Sequence, residues 1–281
     1  YLKNILYIEE VNSKYIISTR DFHNKLVGNN KNRDIIAIAT EHNYHNNDEK
    51  YIKKLCDSCN NIDYLVLVSE ELRDFYDKKL NDTKCIYIPN VIENIPKYKN
   101  KTKINNKLIS IGRLVEEKGY EDLIDIVELI KKEKNNIQLD IYGDGPLKNK
   151  LLSKIKKLNL NDNIKLCGFC EYDILIKKIN EYDLYLMTSY TESFGLVLLE
   201  AMSNSIVCIA FDEANGAKKL LSEKNGVLVS NRNKEEFANN VVNLLNDINK
   251  INKISAKGYE ESKKYDINLI KNKWMDLLKC K

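Results

Sequence analysis

The sequence predicts an α/β protein built as two Rossmann-like domains, each a parallel sheet covered on both faces, with a cleft between them. Three observations predict it. Short β-branched runs alternate with charged, amphipathic stretches along all 281 residues. Those runs are almost continuously apolar, as strands buried on both faces must be. A basic stretch poor in apolar residues (Lys97, Lys99, Lys101 and Lys103) follows Pro89 and Pro96 and divides two such series.

The first series places strands at 15–19, 35–40, 64–69 and 85–89, with helices at 48–59 and 70–80 between them. Gly28, followed by two asparagines, reads as a polar turn. Residues 96–106 then read as a linker. The second series places strands at 108–112, 137–143, 164–168, 184–188, 206–211 and 227–229, with helices at 120–132, 147–158 and 234–245. Of ten glycines only Gly28 precedes Gly112, so the close backbone turns belong to the second series. The domains follow as 1–95 and 107–265, with a terminal helix over 266–281 that carries Trp274. In doubly wound sheets ligands bind beyond the carboxyl ends of the strands, so the strand-to-helix turns are where chemistry is sought.

Composition narrows the function. With 43% hydrophobic and 31% charged residues the chain is globular, which excludes disordered and collagen-like classes. No run approaches the ~18 apolar residues of a membrane span. A net charge of +4 is too slight to indicate nucleic acid. Seven scattered cysteines fit a reducing compartment, hence a cytoplasmic protein. Cys56/Cys59 and Cys167/Cys170 have metal-like spacing, but the pairs lie too far apart in sequence for an ordinary zinc site. His42 and His45 are three apart with no third ligand nearby, so no metal is expected. The stretch from Lys97 to Lys107 reads as a solvated linker, with contact to anionic lipid at the inner face of the plasma membrane as the alternative.

Three turns carry the chemistry. After the first strand of the second series come Gly112 and Arg113, then Lys118 and Gly119 at a helix start. Two cations beside a helix amino terminus suit an anion, and a diphosphate clamp is the functional reading. Two solvated surface cations are the plain alternative. Gly143, Gly145 and Pro146 close the next strand in a tight turn before a helix. The third turn begins at Thr188, carries Glu192, and opens a helix near Gly195 that holds Glu200 among apolar neighbours. A carboxylate buried there needs donors, and a ribose diol supplies two. Glu192 is placed to hold sugar hydroxyls, while the Phe194 and Gly195 amides face a phosphate, with Ser193 and Leu196 beside them as donor-binding residues. An internal salt bridge for Glu200 and a capping role for Glu192 are the structural alternatives. No Asp-x-Asp occurs, so a diphosphate here would be neutralised by Arg113 and Lys118 rather than by a carboxylate-held Mg²⁺.

Taken together, these residues resemble the family-4 retaining glycosyltransferases of the GT-B fold, and most nearly the bacterial surface-polysaccharide type. The resemblance rests on Glu192 and Glu200 in their E-x7-E spacing, Gly112-Arg113, Lys118-Gly119, the turn from Tyr142 to Pro146, Gly168, and Asn225-Gly226, in the family's order. It covers residues ~85–281 densely. It implies that a nucleotide-diphosphate sugar, most readily a UDP-sugar, serves as co-substrate with no cofactor or metal. A hexosyl or N-acetylhexosaminyl group would pass to a glycan, glycolipid or polyol-phosphate acceptor with anomeric configuration retained. It further implies that Arg113 and Lys118 neutralise the leaving diphosphate, Glu200 holds the ribose, Glu192 contacts sugar hydroxyls, and Gly112 and Gly143 border the donor. His42, in a Thr-x-His pattern after the strand at 35–40, would support the sugar at its reacting carbon, in preference to His45.

Two departures from the family stand out. The first domain lacks the glycine-containing loop that approaches donor phosphates and is expected to be incomplete at its amino terminus. Residues 204–207 also lack the glycine and proline usual before the next strand. Two other functions fit parts of the same pattern: a GT-B sugar-nucleotide epimerase, and a non-catalytic nucleotide-sugar-binding fragment. A NAD-dependent oxidoreductase is disfavoured because no G-x-G-x-x-G follows a strand.

Overall fold

A computed structural model describes residues 13–221 and 224–279. The chain divides into two compact units, Tyr1–Asn90 with Asn268–Lys281, and Val91–Ile267.

In the first unit β1 (Tyr15–Ser18), β2 (Ile36–Glu41), β3 (Tyr64–Leu67) and β4 (Lys84–Tyr87) form a parallel sheet in that order. Helices α1 (Asp21–Asn30), α2 (Glu49–Ser58) and α3 (Glu70–Asp77) connect them. Two helix starts are written in the sequence. The Asp48 carboxylate accepts from the amides of Lys50 and Tyr51, and the Ser69 hydroxyl accepts from that of Leu72. The strands bury Ala37, Ile38, Ala39, Leu65 and Leu67 completely, against Leu72 and Tyr76 of α3. The last helix, α11 (Ile267–Lys279), belongs to this unit from Asn268 onward, where Lys273 lies over the Tyr87 ring at 4.7 Å. Gly28 corrects an expectation. It lies inside α1 rather than in a turn, because a side chain there would place its Cβ 2.4 Å from the Asn60 carbonyl oxygen. Glycine at this position allows helix and loop to meet.

The second unit carries β5 (Lys107–Ile111), β6 (Gln138–Tyr142), β7 (Ile164–Gly168), β8 (Leu184–Met187), β9 (Val207–Phe211) and β10 (Val227–Val229). All pair in parallel, in the order β10-β9-β8-β5-β6-β7. Helices α4 (Tyr120–Glu133), α5 (Lys148–Lys157), α6 (Tyr172–Ile179), α7 (Leu196–Ser203), α8 (Asn215–Leu220), α9 (Lys234–Leu245) and α10 (Ile248–Ser262) cover the sheet. Strand order reverses between β5 and β8, so successive helices pass to opposite faces and a crevice opens where those two strands end. The core packs Leu108, Ile124, Val127, Leu139, Leu184 and Ile209, all fully buried.

The basic stretch after Pro96 is laid onto this second unit. The Tyr98 hydroxyl donates to the Asn252 carbonyl at 3.0 Å, and the Lys101 amide donates to Asn252 Oδ1 at 2.8 Å. Lys101 Nζ lies 3.4 Å from the fully buried Asp183, whose other carboxylate oxygen accepts from the Asn105 and Lys107 amides. Lys97, Lys99 and Lys103 stay exposed. Burial pushes the Lys101 ammonium below its ordinary range, while Asp183 acts in the opposite direction. Removing one member of such a pair strands the other. Asp183→Ala is therefore expected to lower stability by about 3–5 kcal/mol in chemical denaturation, with the main loss in the transition of the second unit.

Candidate functional site

The residues singled out in the second unit meet at the carboxyl edge of its sheet, because that is where every parallel strand releases its chain into a loop. The loops after β5, β6 and β7 are stitched by backbone contacts. The Gly112 amide donates to the Tyr142 carbonyl at 2.9 Å and the Gly143 amide to the Gly168 carbonyl at 2.8 Å. A Cβ on Gly143 would lie 1.9 Å from the Gly112 carbonyl oxygen, so only glycine permits this approach. Pro146 sits in the turn rather than in the helix. The Leu147 amide next to it donates to the Leu114 carbonyl, and α5 begins at Lys148. Arg113 projects from this stitched ledge, exposed, and has no ion pair among the described residues.

Further along the loop that follows β5, a 3₁₀ turn, Glu116–Lys118, leads through Gly119 into α4. Gly119 adopts φ +64°, and its missing side chain leaves room for the Thr188 carbonyl, 2.1 Å from where a Cβ would sit. The end of β8 is thereby pressed against the start of α4. The Thr188 hydroxyl donates to the Lys118 carbonyl at 3.2 Å, and the Tyr190 amide to that of Glu117 at 2.8 Å. This docking brings Lys118 Nζ to 2.8 Å from Glu192 Oε2, with side chains 25% and 21% exposed. Two residues 74 positions apart, expected on separate grounds, form one ion pair.

Glu192 is also fixed from behind, since its carbonyl accepts from the Gly216 amide at 2.8 Å. Ser193 follows, half-buried; Phe194 is buried and meets the Tyr265 ring at 5.5 Å. Gly195, at φ +84°, turns the chain into α7 at Leu196, and no side chain caps that helix start. The first turn of α4 likewise has no side-chain cap. Two helix amino termini with unclaimed amides flank the ion pair, and both favour an anion.

Glu200 lies within α7, half-buried, with Leu198, Leu199 and Ala201 fully buried around it. Burial raises its carboxyl to about 7, against a hydrogen bond with Tyr172 that acts in the opposite direction. The Tyr172 hydroxyl is itself pushed up to about 12, by burial first and then by Glu200. The donor that a buried carboxylate requires is thus a tyrosine at the start of α6, which the sequence reading missed. No local signal announces it, since its partner lies 28 positions further along the chain.

The histidines of the first unit differ from each other. His42 is exposed just past the end of β2. His45 is buried between the Tyr44 and Phe75 rings at 4.7 and 4.1 Å, and its Nδ1 accepts from the Asn47 amide. Desolvation pushes the His45 imidazole below its ordinary value, so it serves as a neutral packing group. Cys56 and Cys167 are half-buried, Cys59 is buried, and among the described residues no group of three His, Cys, Asp or Glu is placed to hold a metal.

Residues 91–261 match the family described as Glycosyl transferases group 1. The chain belongs to that family. Over 258 residues this family member is 28% identical to the poly(ribitol-phosphate) alpha-N-acetylglucosaminyltransferase of Staphylococcus aureus (strain COL), which covers 89% of the chain and 51% of the relative. It is 25% identical over 279 residues to the poly(glycerol-phosphate) alpha-glucosyltransferase of Bacillus subtilis (strain 168), covering 93% and 40%. The chain spans about half the length of the curated relatives it matches. Among solved structures, TarM superposes with a TM-score of 0.87 at 25% identity, over 98% of this chain and 57% of that one. HepE of Anabaena in complex with UDP-glucose superposes with a TM-score of 0.84 at 19% identity, over 99% and 81%. These likenesses and the two parallel sheets establish the GT-B fold.

The pH response of Glu200 follows from its burial. Between the ordinary carboxyl value and about 7 the folded protein holds a proton that the unfolded chain has released. Stability contributed by this group is complete at low pH and falls as pH rises through about 7. Glu200→Gln is expected to flatten that part of the curve, read as the wild-type-minus-variant difference in denaturation midpoint between pH 5 and 8.

Proposed function

We propose that this chain carries the donor half of a metal-independent, retaining glycosyltransferase of the family-4 type. It would move a hexosyl or N-acetylhexosaminyl group from a UDP-sugar to a polyol-phosphate or glycan acceptor in cell-surface polymer synthesis. The observation that carries the reading is the Lys118–Glu192 pair at the switch point, flanked by exposed Arg113 and two uncapped helix starts. A diphosphate entering there meets two cations and two positive helix ends. Lys118 turns from Glu192 toward the phosphates, and Glu192 is released to accept from sugar hydroxyls. Charge building on the leaving diphosphate is stabilised by groups already in place, so catalysis is positioning and electrostatics, without a protein general base. Glu200 exchanges its contact with the Tyr172 hydroxyl for the ribose diol. His42 supports the sugar near its reacting carbon, and residues 1–95 serve the acceptor side; both assignments rest on the family resemblance.

The relatives support the donor and acceptor classes. A TarM variant of S. aureus was crystallised with UDP and alpha-GlcNAc-glycerol, and it superposes with a TM-score of 0.86 at 25% identity. Both curated relatives named above glycosylate polyol-phosphate polymers. No helix of the described residues is long and apolar enough to cross a membrane. We place the reaction at the cytoplasmic side, where nucleotide sugars are made.

Calorimetric titration with UDP, GDP and ADP tests the reading. One nucleoside diphosphate is expected to bind in the micromolar range, with affinity reduced about 10- to 100-fold in Arg113→Ala and Lys118→Ala, while nucleoside monophosphate loses far less. Absence of binding by the folded chain, or equal losses for both ligands, rejects the clamp. Transfer from UDP-sugar to a polyol-phosphate acceptor is expected to survive EDTA, and its abolition rejects the metal-free mechanism.

A further inference from the structure

Arg232 lies beyond every motif that the family resemblance supplied, yet from its place after β10 its guanidinium touches segments that follow three other strands. Nη2 donates to the Thr188 carbonyl at 2.9 Å, at the end of β8. Nε and Nη2 both reach Asp122 Oδ2, at 3.2 and 2.5 Å, in the first turn of α4 after β5. Nη1 donates to Glu213 Oε2 at 3.1 Å, just past β9. Arg232 itself follows β10, held in a left-handed backbone conformation at φ 45°. Its Cζ lies 3.7 Å from the centroid of the Tyr190 ring and 4.5 Å from that of Phe211, and the side chain is 17% exposed.

Asp122 is the second node of this cluster. It accepts from the Tyr190 hydroxyl at 3.0 Å and pairs with Lys234 at 2.6 Å. Burial works against its charge, but bonds from Lys234, Arg232 and Tyr190 outweigh that and hold the carboxyl below its ordinary range. Lys118 lies four residues before Asp122, and Glu192 lies four residues after Thr188 and two after Tyr190. Each partner of the central ion pair therefore hangs from a segment that Arg232 grips.

We infer that Arg232 is a positioning residue. It holds the Lys118 turn and the Glu192 loop in register, so that both face one ligand. The inference rests on the donor-site reading above and extends it to a residue that would touch neither phosphate nor sugar. The fork geometry explains the residue type. Four donor contacts in three directions, with the Tyr190 and Phe211 rings close by, fit a planar guanidinium fork and not an ammonium. Usage agrees: only five of the 45 basic residues are arginine, and the two in the second unit are Arg113 and Arg232.

The test measures UDP and UMP affinity calorimetrically on the full chain, well below its melting temperature. Arg232→Met is expected to weaken UDP about tenfold or more and UMP far less, so that the UDP-to-UMP preference collapses. Arg232→Lys keeps the charge but loses the fork. It is expected to show most of the same loss, and it carries the test if the methionine variant does not fold. Asn163→Ala removes bonds to the Asn135 and Ile137 carbonyls at the opposite edge of the same sheet. It should lower the melting temperature and leave the preference intact. A wild-type preference in Arg232→Lys, or equal loss on both nucleotides, overturns the positioning role. A wild-type chain that binds neither nucleotide overturns the donor-site reading itself, and this inference with it.

Discussion

The carboxyl edge of the second sheet depends on how closely its strand-to-helix loops approach one another. Gly112 and Gly143 touch backbone to backbone, and Gly119 accepts the Thr188 carbonyl where any other residue would carry a methyl or more. These contacts fix the spacing of loops that come from strands far apart in sequence. Had the loops splayed by even a side chain's width, Lys118 and Glu192 would not share a hydrogen bond. The reversal of strand order between β5 and β8 supplies the crevice, and the glycines set its width.

Charge at this edge is arranged in layers. The exposed layer is Arg113, with the Lys118–Glu192 pair slightly deeper. Beside it Arg232, Asp122 and Lys234 form a network in which Arg232 and Asp122 are 17% and 13% exposed and Lys234 is 35% exposed. Pairing within the deeper layer matters because charges out of water are tolerated only when compensated. Glu200 stands apart: burial raises its carboxyl to about 7, and the Tyr172 hydroxyl bonded to it pulls the other way.

Most of the fold was legible in the sequence because parallel strands buried on both faces leave a strong signal. Every strand described here overlaps a short apolar run visible in the primary structure, and all but β8 carry β-branched residues, as in Ile36–Glu41 and Val207–Phe211. Gly28 was misread because a glycine followed by asparagines suggests a turn, whereas the reason for it is a carbonyl of Asn60 across the fold. Of the candidate site, Arg113, Lys118, Glu192 and Glu200 were nameable from local motifs, with the roles proposed above. Tyr172 and Arg232 were not, because their roles come from contacts 28 and 110 positions away in sequence, to Glu200 and Asp122. The basic run after Pro96 looked free of structure because its lysines alternate. Only Lys101 turns inward, to a buried aspartate that nothing local announces.

The first unit is discontinuous: its terminal helix returns only after the entire second unit has been traversed. Ordinarily, bringing two such distant segments of chain together carries an entropic cost that grows with the loop between them. Here the second unit clasps its own ends. The Ile92 amide donates to the Tyr265 carbonyl, and the Ile267 amide donates to the Ile92 carbonyl, so entry and exit lie side by side. Once the second unit has folded, the first unit experiences it as a tight turn rather than a long loop. An inserted domain with paired ends imposes little topological burden on its host.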